Sequence, residues 1–220
     1  LCGDVEENRL RLYSLFPVKD WVNFYYQNRR RNVFILGYVE SVEVNHFDKA
    51  EVMQISLLCP FPYFQSVDEI IDDISKVTAL FTFPFTINLN QPVVISELDT
   101  NKETNVVNDS ESSTGLIIQV RFSQAVNKIL IRKITGGDEI EVDYAFQPED
   151  LLTINTNKGR KSITLTRNAE TFSVFPYMKK GGTFFDLTPG DNYFSYSADD
   201  GASDTYVDIT FRHFTQYNGV

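Results

Sequence analysis

Few residues in this chain have the type and spacing that catalysis or metal binding requires. The sequence holds two histidines, His46 and His213, and two cysteines, Cys2 and Cys59. No cluster of Cys, His and Asp with metal-ligand spacing surrounds any of them. We interpret the histidines as ordinary surface or half-buried residues, and Cys59 as a small buried hydrophobic residue. The sequence predicts no catalytic residue, no metal site and no cofactor.

Glycine-rich and acidic motifs were examined in the same way. There is no Gly-x-Ser-x-Gly elbow, no phosphate-binding glycine loop and no His-Glu-x-x-His. Gly136-Gly137-Asp138 indicates a turn, and Asp199-Asp200-Gly201 with Asp204 lacks the ligand pattern of a calcium loop. A glycosidase needs two carboxylates about 5–9 Å apart in a cleft, and acids are too plentiful here for sequence to test that. A cell-wall hydrolase therefore stays open as a minor alternative.

The composition of the chain limits the classes of partner that it is expected to bind. The 220 residues carry 30 Asp and Glu against 20 Lys and Arg, a formal charge of −10, which disfavours nucleic acid and anionic membranes as partners. The single basic run, Arg29-Arg30-Arg31, is typical of a solvated hairpin tip. No apolar stretch approaches the roughly 20 residues of a membrane span, and no signal peptide is evident. Because the chain starts at Leu1, we expect an N-terminal piece to be missing.

The first third of the chain alternates helical and strand patterns. Asp4-Val5-Glu6-Glu7 resembles a capping box and predicts a helix that stops before Pro17. Trp21–Gln27 and Asn32–Val39 predict a β-hairpin. A further strand is predicted over Met53–Cys59.

The middle of the chain is expected to connect two domains. Ser66-Val67-Asp68-Glu69 resembles a second capping box, and apolar residues follow it at helical spacing to Val77. This pattern predicts an amphipathic helix of about three turns. Phe81–Leu89 predicts a strand, and Asn88–Glu103 is loop-rich.

From Gly115 onward, apolar and polar residues alternate in short runs separated by turn residues. Ile140, Val142, Tyr144 and Phe146 give the cleanest alternation. Asn155–Gly159 predicts a hairpin loop, and Pro189-Gly190-Asp191-Asn192 predicts another turn. The pattern favours an antiparallel β-sandwich.

Two sets of residues, in order along nearly the whole chain, resemble a known family. The first set is Gly37–Glu43 followed by Gln54–Phe64. The second is Ile154–Gly159, then Leu187–Asn192, then Tyr217–Val220. Together they resemble the distal tail proteins, the siphophage tail-component family of phages and prophages of Gram-positive bacteria.

The resemblance implies a mainly β fold: a truncated N-terminal α+β ring-type domain over residues 1–64, a helical connector and linker over 65–105, and a galectin-like antiparallel β-sandwich over 106–220. It implies a structural subunit of the virion tail that links the tail tube to the baseplate or tip. Its expected partners are copies of itself, in a hexameric ring, and neighbouring tail proteins. Such a protein is not an enzyme.

Departures from the family pattern fall at turn and packing positions. Phe61 stands where a polar or acidic residue is more usual, and Phe184-Phe185 replaces a common Trp. The family's usual Gly-Asp before the Ile-Asn-Thr strand is Glu149-Asp150 here.

Two candidate surfaces follow from these predictions. We expect the N-terminal hairpin to be an assembly surface, formed by Trp21, Phe24, Tyr26, Arg29, Arg30 and Arg31. The alternative function is a carbohydrate-binding module for host-surface recognition. Its candidate sugar platform is formed by the aromatic residues nearest turns, which are Tyr177, Phe184, Tyr193 and Tyr196. Likeness of fold does not transfer sugar binding, so scaffolding is the preferred reading.

Overall fold

The structure is a computed structural model of the chain. It describes residues 4–45, 52–73, 77–79, 96–98, 103–198 and 207–219. The chain divides into two compact units. Unit 1 comprises residues 1–68 and 216–220, and unit 2 comprises residues 69–215. The three-part division expected from the sequence stays a prediction.

Unit 1 begins with a short helix and a long β-hairpin. Helix α1 spans Val5–Leu15, and Asp4 caps it by accepting a hydrogen bond from the Glu6 amide at 2.9 Å, as the predicted N-cap requires. Its strands are β1 (Trp21–Gln27), β2 (Asn32–Asn45) and β3 (Val52–Leu58). Strands β1 and β3 both pair with β2 in antiparallel fashion. The predicted hairpin and the predicted third strand are therefore present.

Gly37 lets these strands pack closely. A Cβ atom at this position would lie 3.1 Å from the Leu57 Cβ and 3.2 Å from the Cys59 Sγ. Beside it, Val33, Ile35 and Val39 are buried. One face of the hairpin is thus its packed face.

The helix predicted after Ser66 is wrong. Residues Phe64–Asp73 form strand β4, which pairs with β2 at Val33↔Ser66 and Phe34↔Gln65. The Ser66 hydroxyl donates to the Asp68 carbonyl and does not cap a helix. The β-branched side chains in this segment favour extended backbone, which outweighs a weak helical periodicity. The predicted strand at Phe81–Leu89 lies outside the described residues.

Among the described residues, unit 2 contains strands of two large antiparallel sheets and one two-stranded sheet. The strands are β5 (Val77–Ala79), β6 (Ser96–Leu98), β7 (Glu103–Asn108), β8 (Ile117–Phe122), β9 (Val126–Lys133), β10 (Glu139–Phe146), β11 (Leu151–Asn155), β12 (Ser162–Arg167), β13 (Glu170–Ser173), β14 (Gly190–Ala198) and β15 (Val207–Tyr217), whose end belongs to unit 1. A single 3₁₀ turn covers Phe175–Tyr177. One sheet has the order β15-β8-β11-β12-β13 and the other β10-β9-β14-β7, and β5 pairs with β6.

The core of unit 2 lies between the two sheets. Alternate residues of β8, Ile118, Val120 and Phe122, are fully buried. The rings of Phe122 and Phe146 stack with their centroids 4.2 Å apart, which joins strand β8 of one sheet to β10 of the other. Period-two alternation on both sheets therefore fills one interior, as a β-sandwich requires. The predicted mainly β class is confirmed.

One edge of the second sheet is closed by a loop. The amides of Lys179 and Thr183 donate to the carbonyls of Glu141 and Glu139, each at 2.9 Å, and Met178 forms a bridge with Val142. The outer edge of β10 is therefore hydrogen-bonded along residues 139–142.

Candidate assembly and binding surfaces

The predicted assembly hairpin presents an exposed aromatic face, but the residues on that face differ in part from those predicted. Trp21 is 53% exposed and Tyr25 is 61% exposed. Each forms a cross-strand pair: Trp21 with Tyr38 at 5.6 Å between ring centroids, and Tyr25 with Phe34 at 5.7 Å. We call these four residues, Trp21, Tyr25, Phe34 and Tyr38, the aromatic face.

Two of the predicted hairpin residues lie on the opposite side. Phe24 pairs with Ile35 and Tyr26 with Val33, and both aromatic residues are half-buried. Because side chains alternate along a strand, residues at odd separations from Trp21 cannot share its face. Phe24 and Tyr26 therefore lie on the opposite face of the hairpin from Trp21, and their part in assembly stays a prediction.

The basic tip is only partly solvated. Arg29 and Arg30 are exposed, and the Asn28 carboxamide closes the turn by accepting from the amides of Arg30 and Arg31. Arg31 instead faces the C-terminal segment. Its guanidinium lies 4.4 Å from the Tyr217 ring centroid and donates to the Gly219 carbonyl.

Strand β1 pairs only with β2 among the strands of the described residues. Its other edge is therefore available for pairing with another chain. Helix α1 adds further exposed apolar side chains, including Leu10 at 59% and Leu15 at 56%. Apolar surface thus accumulates on unit 1.

The four residues of the predicted sugar platform do not form one surface. Tyr177 and Tyr193 are exposed to similar extents, 50% and 47%. Tyr196 is only 7% exposed and belongs to the sandwich core, so its assignment to a platform is wrong. Its separation of three residues from Tyr193 on β14 places the two side chains on opposite faces. Phe184 is half-buried and packs against the core, with its ring 6.0 Å from that of Phe175.

The next residues to consider are those whose type could serve catalysis or metal binding. Within the described part of the chain, no group of three or more His, Cys, Asp or Glu residues could hold a metal ion. Burial raises the pKa of the half-buried Cys59 thiol, which disfavours a nucleophilic thiolate. His46 and the acidic segment 199–204 lie outside the described residues.

His213 departs from expectation, because it is 2% exposed rather than on the surface or half-buried. It follows Val207, Ile209 and Phe211 in the inward row of β15. Among the described residues, no hydrogen bond of standard geometry reaches its ring nitrogens, although the Val107 backbone is close enough to favour the charged form. Burial lowers its pKa, against the opposing effect of carboxylates such as that of Asp72.

Asp150 and Arg167 form the most buried ion pair among the described residues. The Arg167 Nε donates to the Asp150 Oδ1 at 2.8 Å and its Nη2 to Oδ2 at 2.6 Å, and the Gln147 amide donates to Oδ2 at 2.8 Å. Burial by itself would raise the pKa of Asp150, but these hydrogen bonds and the guanidinium charge lower it overall. The pair ties the β10–β11 loop to β12, which is a structural role.

A shallow depression lies on the outer face of the β10-β9-β14-β7 sheet. It has a volume of about 140 Å³ and is lined by Leu130, Arg132, Ser195, Tyr196 and Ser197. Sequence reasoning missed it, because each of its strands contributes ordinary polar residues at alternate positions. Only the cross-strand register brings them together.

The surfaces and the fold define a class of protein. The described residues form a mainly β scaffold that exposes several aromatic side chains, among them Trp21 and Tyr25. No helix among the described residues is long and apolar enough to cross a membrane.

Comparison with known proteins indicates a family of tail components. Residues 109–213, a little under half of the chain, match the family model described as siphovirus-type tail component, C-terminal domain. In this segment the chain is similar to a structural component of a siphovirus-type tail. No curated protein matched the sequence.

Two solved structures share the fold. The crystal structure of the SPP1 Dit (gp 19.1) protein, described as a paradigm of the hub adsorption apparatus in phages that infect Gram-positive bacteria, aligns with a TM-score of 0.64 at 15% identity and covers 97% of this chain and 75% of that one. The phage P2 baseplate in its activated conformation with calcium aligns with a TM-score of 0.55 at 12% identity, covering 100% of this chain and 78% of that one. At these identities the likeness shows the fold, which extends over both units.

Proposed function

We propose that this chain is a distal-tail hub subunit that joins the tail tube to the baseplate or tip by protein–protein assembly. Its partners are copies of itself, in a hexameric ring, and the neighbouring tail proteins. It has no enzymatic activity, and it is made in the bacterial cytoplasm. The SPP1 protein with the same fold is described as part of a hub, which supports this position in the tail.

The aromatic face of unit 1 is the observation that carries the proposal. Trp21 and Tyr25 are both more than half exposed, and each is held rigid by a cross-strand aromatic partner. Trp and Tyr are enriched among the residues that dominate protein interfaces, and isolated monomers rarely expose contiguous apolar patches. A rigid aromatic patch beside an open strand edge is typical of a subunit interface.

The acidic charge fits an assembly role better than binding to nucleic acid. A formal charge of −10 repels phosphate backbones and keeps separate subunits soluble before assembly. Ring closure must overcome this repulsion through apolar contacts. Assembly is therefore expected to strengthen as salt screens the charge.

The test is a mass measurement of the full-length protein by native mass spectrometry and light scattering, with and without its neighbouring tail proteins. We expect a species of six subunits of 25.3 kDa or more each, at least in the presence of a neighbour. The variant Trp21→Ser/Tyr25→Ser should lose this species, because each buried aromatic anchor at an interface contributes about 2 kcal/mol, roughly 30-fold in affinity.

A matched control is Phe172→Ser/Tyr177→Ser, which removes two exposed aromatic residues of unit 2 and should leave the mass unchanged. A protein that remains monomeric with every neighbour would contradict the hub function. If the Trp21/Tyr25 variant assembled as well as the wild type, the aromatic face would not be the interface.

The absence of enzymatic activity is tested separately. Purified protein incubated with peptidoglycan of the host should release no reducing sugar or free amine above the buffer control. Release that survives further purification would refute the non-enzymatic role and revive the hydrolase alternative.

A further inference from the structure

Strand β13 leaves one edge of the sandwich open. Among the described strands it pairs only with β12, and it stands last in the order of its sheet. The Val174 amide donates to the Ile163 carbonyl at 3.0 Å, and backbone groups alternate in direction along a strand, so those of Thr171 and Ser173 point away from β12. No backbone group of the described residues bonds to them. These two amides and two carbonyls are therefore available to an added strand.

The neighbouring edge of the other sheet is closed, which makes the open edge a distinct feature. The Tyr144 ring of β10 lies 6.4 Å from the Phe172 ring of β13, so the two edges are on the same side of unit 2. The loop over residues 179–183 covers the β10 edge with backbone hydrogen bonds. Strand β13 has no such cover among the described residues, and it lacks the Lys or Pro residues that protect many strand edges. On this side, only β13 offers free backbone groups.

Exposed aromatic side chains surround the open edge. Phe172 on β13 is 39% exposed, and Phe175 and Tyr177 on the following 3₁₀ turn are each about half exposed. Ring contacts hold the last two in place, since Tyr177 lies 4.8 Å from Tyr144 and Phe175 stacks 6.0 Å from Phe184. An added strand would therefore bury apolar side chains on a preformed surface as well as pair its backbone.

The same part of an acidic chain is strongly basic. Residues 151–185 hold six Lys and Arg against one Glu, a formal charge of +5, whereas the remaining residues hold 14 Lys and Arg against 29 Asp and Glu, a charge of −15. Arg167 and Lys179 are paired with Asp150 and Glu141. The other four cations are exposed and form no ion pair with the described residues, and they are Lys158, Arg160, Lys161 and Lys180. Unit 2 thus carries a local surplus of unpaired positive charge.

Three of the four unpaired cations lie at one end of β13. They belong to the loop between β11 and β12, and the pairing of Thr164 with Ser173 places the start of β12 beside the end of β13. The Lys161 ammonium lies 5.6 Å from the centroid of the Phe184 ring, which stacks on Phe175. Cations, aromatic rings and free backbone groups therefore form one surface. We call it the β13 edge, and it consists of Arg160, Lys161, Phe172 and Phe175 with the backbone of Thr171 and Ser173.

We propose that the β13 edge binds an extended acidic segment of a neighbouring tail protein, which adds to the sheet as a further strand. The backbone of Thr171 and Ser173 pairs with the segment, Phe172 packs against its apolar side chains, and the loop cations bind its carboxylates. A long polyanion would also meet the −15 charge of the remaining chain, whereas a segment of a few residues stays within a Debye length, about 8–10 Å, of the local cations. The inference rests on the proposed hub function for the source of the segment, and its site is separate from the aromatic face.

The experiment titrates the full chain with a capped peptide of about seven residues in which Glu and Val alternate. Matched peptides replace every Glu with Lys, or the central Val with Pro, which cannot donate to a ladder. At about 50 mM salt the Glu peptide should bind with a dissociation constant of about 0.1–1 mM, and the other two at least about tenfold more weakly. The amides of Thr171 and Ser173 should shift in NMR spectra and exchange more slowly with solvent. Raising the salt to about 300 mM should weaken binding about fivefold, opposite in sign to the expected effect on subunit assembly.

Two charge-reversal variants locate the site. Arg160→Glu/Lys161→Glu should weaken binding of the Glu peptide by about tenfold or more. Arg29→Glu/Arg30→Glu makes the same change of charge at the exposed hairpin tip of unit 1, and it should leave the affinity within about twofold of wild type. Thr171→Pro removes an outward amide without removing a bond to β12, so slowed exchange at Ser173 should be lost. The Pro peptide makes the same test on the ligand, so the result does not depend on the folding of that variant.

Four results would overturn the inference. They are no binding of the Glu peptide at about 5 mM, equal binding of the Glu and Pro peptides, equal losses in the two charge-reversal variants, or equal binding of a single-stranded oligonucleotide of similar length, which would reveal a general anion surface. Subunit mass is measured in parallel, and the six-subunit species should persist in Arg160→Glu/Lys161→Glu. A ring that binds no acidic peptide would refute this inference alone, and a chain that binds the peptide but never assembles would refute the hub function.

Discussion

The ion pair of Asp150 and Arg167 gives the sharpest test of how unit 2 is held together. Asp150 has 1% of its side chain exposed and Arg167 has 22%. Replacing Asp150 with Ala removes three acceptor contacts at once: two from the guanidinium and one from the Gln147 amide. Breaking a buried pair from one side costs about 3–5 kcal/mol. Since the guanidinium can recruit water, we expect the lower end, about 3 kcal/mol.

A double-mutant cycle with Asp150→Ala, Arg167→Met and the double variant separates the pair from the loss of packing. We expect a coupling free energy of about 2 kcal/mol, measured by urea unfolding with circular dichroism. Arg121→Ala is the matched control, because its bond to Glu149 is 3.6 Å long with both side chains more than half exposed. That pair should contribute less than about 0.5 kcal/mol.

The contribution of Asp150 to stability depends on pH with a defined sign. The pKa of Asp150 in the folded protein is lowered, so its contribution is complete above the unfolded pKa of about 3.9 and is lost as the pH falls through the folded value. The stability difference between wild type and Asp150→Asn should therefore be constant from pH 7 to 5 and shrink below about pH 4. A difference that grew on acidification, or a coupling energy below 0.5 kcal/mol, would refute the reasoning.

Three further outcomes follow from backbone geometry and burial. Ala169 has φ +65° in the two-residue turn between β12 and β13, so Ala169→Gly should stabilise unit 2 by about 0.5–1 kcal/mol in urea unfolding, with a loss of stability as the contrary result. A Cβ atom at Gly115 would lie 2.5 Å from the Asn157 Cα, so Gly115→Ala should lower the free energy of unfolding by about 2 kcal/mol. The control is Gly219→Ala, which should be neutral because nothing lies within 4 Å of its Cβ position. Equal effects of the two variants would exclude the steric reason. His213→Leu should stabilise by about 1–2 kcal/mol at pH 8, because it removes a buried imidazole whose nitrogens make no hydrogen bond of standard geometry with the described residues. The folded pKa of His213 is lowered, so wild type loses stability as the pH falls below about 6.5, and the gain should widen by pH 5; a gain independent of pH would show that the histidine is not titrating.

Alternation made most strands predictable. The hairpin of β1 and β2 and strand β10 were identified because polar and apolar residues alternate and turn residues bound them. Strand β4 was predicted as a helix because Val67, Ile70 and Ile71 recur at helical spacing behind a sequence that resembles a capping box. Its pairing with β2, a contact that sequence does not reveal, selects the strand.

The candidate surfaces were less predictable, for a physical reason. Sequence shows which residues are aromatic, but which face of a strand is covered depends on distant elements. The alternation of side chains along a strand would still have separated two of the candidates. Tyr193 and Tyr196 are three residues apart, so they point to opposite sides of β14. Tyr25 could have been placed with Trp21 by the same rule.

Glu149, which precedes the buried Asp150, has a left-handed backbone with φ +68°. Glycine adopts this left-handed conformation without the steric cost that a side chain incurs there. The neighbouring Asp150, with its hydrogen bonds to Arg167 and Gln147, holds the turn in place regardless.

The loop that bonds to β10 has a consequence for crowding. Subunits that are concentrated in one assembly collide in many orientations. An exposed strand edge, with unpaired amides and carbonyls, can then form non-native strand pairs with another subunit. The amides of Lys179 and Thr183 already donate hydrogen bonds to the carbonyls of Glu141 and Glu139. The edge of β10 therefore offers another chain few free backbone groups to pair with. This edge of β10 is therefore unsuited to strand-to-strand pairing between subunits.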